Sequence, residues 1–176
     1  MICDFPDAML FEKCAWIDPA SRLCRKIVTS LRVEMLSYRR QGIGLASPQI
    51  GFAYRVFVMD NRFLGINGSS AFINPEITWR SQESETEKEG CLSFPSIVQI
   101  PVTRNASIEI SAFDVNGKEF KKSLNGLAAR CFQHEQDHLD GITLWHHATE
   151  KSKKRISELA AVGGDEEWQR SRNQDS

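Results

Sequence analysis

An α+β fold is predicted for this 176-residue chain. Helical periodicity is strong toward both ends, short strand-like runs bounded by turn residues fill the middle, and an Asn116-Gly117 pair marks a hairpin among them. With 41% hydrophobic residues the chain suits one substantial core, so residues 1–162 are expected to form a single domain.

Between Pro19 and Gln41 the apolar residues Leu23, Ile27, Leu31 and Met35, joined by Val28 and Tyr38, recur at helical spacing and predict an amphipathic helix. It stops at Gly42-Ile43-Gly44, where paired glycines free the backbone and let a ligand approach it. Tyr54 to Asp60 is β-branched and aromatic and predicts a buried strand. Ala71 to Ile77 is broken by Asn74-Pro75, which predicts an edge strand or a strand end because proline lacks the ladder donor. Ser81 to Lys88 is rich in glutamate and should be an exposed connection or a solvent-facing strand. Strands are expected over Ile97–Val102 and Ser107–Asp114, the second alternating through Ile108, Ile110 and Ala112, and Asn116-Gly117 turns the chain into Lys118–Ser123. A second strong helix runs from about Leu124 through Leu139, and a third is expected over Glu150–Val162. Residues 163–176, dominated by charged and amide side chains, predict a disordered tail.

The formal net charge of −1 gives no bulk attraction for nucleic acid or membrane. The local run from Lys151 to Arg155 reads as the solvated face of a helix. Cys3, Cys14, Cys24, Cys91 and Cys131 are odd in number and scattered, with no secretory signal, which favours a reducing compartment. Cys3, Cys14 and Cys24 read as small buried apolar residues.

Residues Gln133 to His138 read Q-H-E-Q-D-H. Helix positions four apart share a face, so His134 and His138 can grip one ion while Glu135 borders it. A catalytic site of this kind takes three protein ligands plus a water. One known way to complete it places a histidine three residues past a glycine; Gly141 is present, but Leu144 stands where the histidine belongs. His146 and His147 come two and three residues late and read as surface or packing residues. Glu150, Glu158, Glu166 and Glu167 are available for the other route, a glutamate from a later helix, with nothing to single one out. Cys91, within Glu89-Gly90-Cys91-Leu92-Ser93, is the better candidate, since a thiolate is a strong ligand for zinc or ferrous iron.

Three segments therefore occur in order: Gly42-Ile43-Gly44-Leu45-Ala46-Ser47-Pro48-Gln49, Glu89 to Ser93, and Gln133 to His138. This set closely resembles peptide deformylase, and the resemblance covers about Phe5 to Trp145. It implies antiparallel and mixed β-sheets around a central metal-binding helix, with an N-terminal and a C-terminal helix. It also implies removal of formate from the N-terminal formyl-methionine of nascent polypeptides. Cys91, His134 and His138 match the family's ligands for one divalent ion, commonly Fe2+, with Zn2+, Ni2+ or Co2+ able to replace it. Glu135 matches the general base, and the amide of Gln49 with the backbone N–H of Leu92 matches the donors to the developing oxyanion. The backbone at Ile43 and Gly44 would pair with extended substrate, and Leu127, Arg130 and Cys131 would wall the methionine pocket. Glu89 and Arg104 match a pair that braces the cysteine segment.

The chain departs from the pattern in four places. Ser47 replaces the usual alanine, Gln99 stands where many relatives have an arginine, the acidic residue expected near Leu144 to His147 is missing, and the C-terminal helix is basic. That helix could dock on the ribosome. The short N-terminus points to the bacterial cytoplasm, a mature organellar form being the alternative. Two rival readings are a zinc endopeptidase and a non-catalytic protein with a structural metal.

Overall fold

The computed structural model describes residues 2–37, 42–61, 71–95 and 97–162. Its N-terminal helix, Arg22–Ser37, begins three residues later than the periodicity suggests. Asp18 folds the preceding residues into a turn, and the Ser21 hydroxyl accepts from the Cys24 N–H at 3.1 Å as an N-cap. Residues 38–41, where the helix was expected to end, lie outside the described residues.

Seven strands follow: β1 (Gly44–Ala46), β2 (Val56–Met59), β3 (Ala71–Arg80), β4 (Ser84–Glu89), β5 (Ile100–Asn105), β6 (Ser107–Phe113) and β7 (Glu119–Asn125). They form a five-stranded sheet in the order β1-β2-β3-β6-β7 and a separate β4-β5 pair. Every ladder between these strands is antiparallel, and the one parallel contact described is an isolated bridge between Ala15 and Tyr54. β4 is solvent-facing up to its last residue, as its glutamates require.

Two strand expectations need correction. β3 lies in the middle of its sheet, not at an edge. Its proline is tolerated because Asn74, at φ +48°, and Pro75 sit where the register against β6 slips between Ile73 and Glu76. There the Asn74 N–H donates to Arg55 O at 2.7 Å, and its side-chain amide bridges the N–H and carbonyl of Ile17. β5 starts at Ile100 instead of Ile97, because Val98 N–H closes a turn onto Pro95 O.

The central helix, Gly126–Leu139, packs on one face of the large sheet. Its Phe132 meets Phe57 and Phe72 edge-on, with centroids 5.0 and 5.4 Å away, while those two rings stack on each other. Alternation sends Val56, Val58, Ala71 and Ile73 to the opposite face, where Ile27, Val28 and Leu31 of the N-terminal helix cover them. Both faces of β2 are thus buried, which is why its sequence is apolar throughout. The C-terminal helix, Glu150–Val162, sets Ile156 into a third cluster with Ile100, Val102 and Phe94. Arg55 holds the end of the central helix, donating to Leu139 O at 3.4 Å and to Asp140 Oδ1 at 2.6 Å.

Phe132→Ala should destabilise the metal-free protein by about 3–5 kcal/mol in urea unfolding, because it empties the junction of helix and sheet. Trp79→Ala, at a side chain 51% exposed, should change stability by no more than about 0.5 kcal/mol.

Candidate metal centre

His134 and His138 stand one turn apart on the central helix, their ring centroids separated by 5.1 Å. Cys91 follows β4 after Gly90 and meets them from the hairpin side. One ligand atom from each of Cys91, His134 and His138 lies within 4.8 Å of the others, and Cys91 Sγ is 3.3 Å from His138 Nε2. The set fits a transition-metal ion: one thiolate and two imidazoles converge, and three protein donors leave a position for water or substrate. His146 and His147 stay outside it. His146 Nδ1 accepts from the Thr143 N–H, and His147 Nε2 bonds Asp137 Oδ2 at 2.9 Å. Glu150 pairs with Lys153 and Glu158 is exposed, while Glu166 and Glu167 lie outside the described residues.

The His134 ring is oriented by Glu89, whose Oε2 lies 2.9 Å from Nδ1, leaving Nε2 to face the cluster. A carboxylate behind a ligating histidine fixes the tautomer and the ring orientation. Glu89 is held in turn by Arg104, with Nε to Oε1 at 3.1 Å and Nη2 to Oε2 at 3.0 Å, both residues being buried. The expected brace is therefore present and shielded from water. His138 lacks such support among the described residues, where its buried Nδ1 has no partner.

Glu135 lies between the two histidines in sequence and is buried, with no hydrogen-bond partner for Oε2 among the described residues. Its carboxylate rests against Gly44, where an added Cβ would sit 2.9 Å from Glu135 Cδ and 3.0 Å from Cys131 Sγ. Gln49, also buried, accepts the Ala46 N–H on Oε1 at 2.9 Å. Its Nε2 donates to Ser93 Oγ at 3.1 Å and reaches Cys91 Sγ at 3.5 Å. Flipping the amide would set its NH2 group against the Ala46 N–H, so Nε2 stays aimed at the cysteine. Leu92 sits in the turn that Phe94 N–H closes onto Cys91 O, and its side chain lies against Gly42. The Ser47 hydroxyl donates to Tyr54 O, tying down the loop that carries Gln49.

β1 is an edge strand among the described residues. Asp60 N–H bonds Ile43 O, so by antiparallel alternation the N–H and carbonyl of Gly44 project to the open side. Cys131 is buried beside Gly44, and Leu127 is half exposed at the start of the helix. The Arg130 guanidinium is turned toward Glu89 and the backbone of β4 and β5. Ser93 and Asp137 also belong to the site, bonding Gln49 and Arg104, although nothing in the motifs that contain them marks them. Residue type and spacing do not reveal which way a side chain turns.

Charge distinguishes the cysteines. Burial raises Cys14 and Cys24 to about 11 and lifts Cys131 well above its ordinary value. Burial acts the same way on Cys91, but the His138 and His134 imidazoles outweigh it and bring the thiol to about 5, a thiolate at neutral pH. Burial raises Glu135 to about 7, with the two histidines opposing.

The sequence pattern described as Polypeptide deformylase matches residues 1–154. Peptide deformylase 1 of Clostridium perfringens is 43% identical over 141 residues, spanning 80% of this chain and 92% of its own. The crystal structure of peptide deformylase from Thermotoga maritima matches with a TM-score of 0.75 at 35% identity, covering 85% of this chain and 97% of that one. A peptide deformylase from Legionella pneumophila reaches 0.81 at 26% identity, covering 94% and 98%.

Glu89 and Asp137 carry a pH dependence. Burial would raise both, yet His134 and Arg104 hold Glu89, and His147 and Arg104 hold Asp137, below their ordinary values of 4.5 and 3.8. The folded protein therefore binds fewer protons than the unfolded chain. The stability these groups contribute is complete above about pH 4.5 and is lost as the pH falls. Urea midpoints of the metal-free protein should drop between about pH 5 and 2, and Glu89→Gln should lower the midpoint at pH 6 and flatten that slope. An unchanged slope in the variant would contradict this assignment.

Proposed function

The chain belongs to the polypeptide deformylase family, hydrolases that remove the formyl group from formyl-methionine of newly made proteins, and we propose how its residues divide that work. The observation that carries the proposal is the buried Glu135 carboxyl, with one oxygen unpartnered and an affinity for protons near neutrality, on the helix between both histidine ligands. A structural site is usually closed by four protein ligands, whereas three converge here among the described residues.

Cys91, His134 and His138 would hold the divalent ion, ferrous iron in our reading with zinc, nickel or cobalt able to replace it, and a sulfur-nitrogen donor set suits these metals. When bound, the ion supplies Lewis acidity that acidifies a water and polarises the formyl carbonyl. Glu135 Oε2 takes a proton from the attacking water as the new C–O bond forms at the formyl carbon. The same oxygen then delivers that proton to the departing nitrogen as the C–N bond breaks, giving formate and a free N-terminus. Negative charge on the carbonyl oxygen in between is met by Gln49 Nε2–H and the Leu92 N–H. Gly44 would receive the extended main chain at the β1 edge, next to Ile43, and Cys131 and Leu127 would border the methionine side chain.

Residues 1–162 would act as one catalytic domain. The exposed Lys151, Lys154 and Arg155 of the C-terminal helix would offer a ribosomal contact. No helix among the described residues is long and apolar enough to cross a membrane. The bacterial origin of the relatives supports a place in the bacterial cytoplasm, with a mature organellar form as the alternative.

Loaded anaerobically with iron, the protein should release formate from formyl-Met-Ala-Ser. Glu135→Ala should retain its metal yet lose roughly 10²–10⁴-fold in turnover, as expected for removing a proton carrier. Gln49→Ala should lose about 10²–10³-fold in kcat. Metal-loaded wild type that produced no formate would defeat the proposal.

A further inference from the structure

Arg130 lies one helical turn before His134, on the same side of the central helix. The two side chains grip opposite oxygens of one carboxylate: Arg130 Nη1 donates to Glu89 Oε1 at 2.8 Å, and His134 Nδ1 meets Oε2 at 2.9 Å. Arg104 adds one bond to each oxygen. An ionised carboxyl has about four lone-pair sites, and here each oxygen has two donors, so Glu89 is saturated. Arg130 reaches further, from Nη1 to Val102 O at 2.9 Å and from Nη2 to Glu85 O at 2.8 Å. It thus ties the hairpin that leads to Cys91 onto the helix that carries both histidines. Its own burial, at 7% exposure, makes these charge-assisted bonds the environment that replaces water.

We infer that Arg130 is a positioning residue of the metal site, acting through Glu89 on the His134 imidazole and through the β4–β5 hairpin on Cys91. It sets the affinity for the ion and leaves the choice of substrate side chain to others. A guanidinium is required because its planar fork covers the carboxylate and two carbonyls at once, which a lysine cannot do. This inference rests on Cys91, His134 and His138 holding the ion.

Arg130→Met and the milder Arg130→Lys test it, with Co2+ affinity measured by chelator competition. The ratio of kcat/KM for formyl-Met-Ala-Ser and formyl-Leu-Ala-Ser is measured on fully loaded protein. Co2+ affinity should fall about tenfold or more in the methionine variant and less in the lysine variant, as for other groups that support a metal ligand. The methionine-to-leucine ratio should stay within about twofold of wild type. If the methionine variant does not fold, the lysine variant carries the test, since it too should bind Co2+ more weakly. Wild-type affinity in whichever variants fold overturns the inference, as does a changed ratio with affinity retained, which would make Arg130 a pocket residue. Wild type that bound no Co2+ would instead refute the metal site itself.

Discussion

A single buried carboxylate, Glu89, joins the parts of this molecule that must meet. It is the last residue of β4, two before Cys91, and its partners Arg104, Arg130 and His134 come from β5 and the central helix. An unpaired charge at this depth would be strongly destabilising, so hairpin and helix have one favourable registration, the one that brings the cysteine to the histidines. The Arg104 Nη1 bond to Asp137 Oδ2 at 2.6 Å, with His147 on the same oxygen, extends the network to the following turn of the helix. Gln133 adds an uncharged tie, its amide bonding both the N–H and the carbonyl of Asn105.

Glu135 has the same chemistry in the opposite environment. Both carboxyls are buried, yet Glu89 is surrounded by cationic donors and stays ionised, whereas Glu135 has an unpartnered oxygen and is pushed up to about 7. In the division we propose, one anchors a ligand and the other exchanges a proton. Environment, not residue type, assigns the roles, and this division of labour between neighbouring carboxyls recurs where acid–base chemistry runs near neutrality.

The helical periodicities, the hairpin at Asn116-Gly117 and the buried β2 were legible in the sequence, because each depends on spacing within a few residues. Glu85 and Glu87 of β4 face solvent, as the charge of that segment requires, and only Glu89 at its end turns inward. The start of β5 was not legible, since the Pro95–Val98 turn delays it, and β3 looked like an edge because its bulge depends on Ile17, some 57 residues away. In the site, Cys91, His134 and His138 could be named from motifs and are together in space. The direction of Arg130 could not, because whether its guanidinium meets a pocket or Glu89 depends on how the β4–β5 hairpin crosses the helix. Ser93 escaped notice for the same reason: its bond to Gln49 joins residues 44 apart.

The central claim is that Cys91, His134 and His138 hold the ion while Glu89 and Glu135 stay off it. An anomalous-difference crystal structure of the zinc-loaded protein tests it most directly. One peak is expected, bounded by Cys91 Sγ and the two Nε2 atoms, at about 2.3 Å from sulfur and about 2.0–2.1 Å from nitrogen. Glu89 should remain on His134 Nδ1, and Glu135 should lie outside the coordination sphere. A peak elsewhere, or either glutamate bound to the ion in place of one of the three ligands, would contradict it.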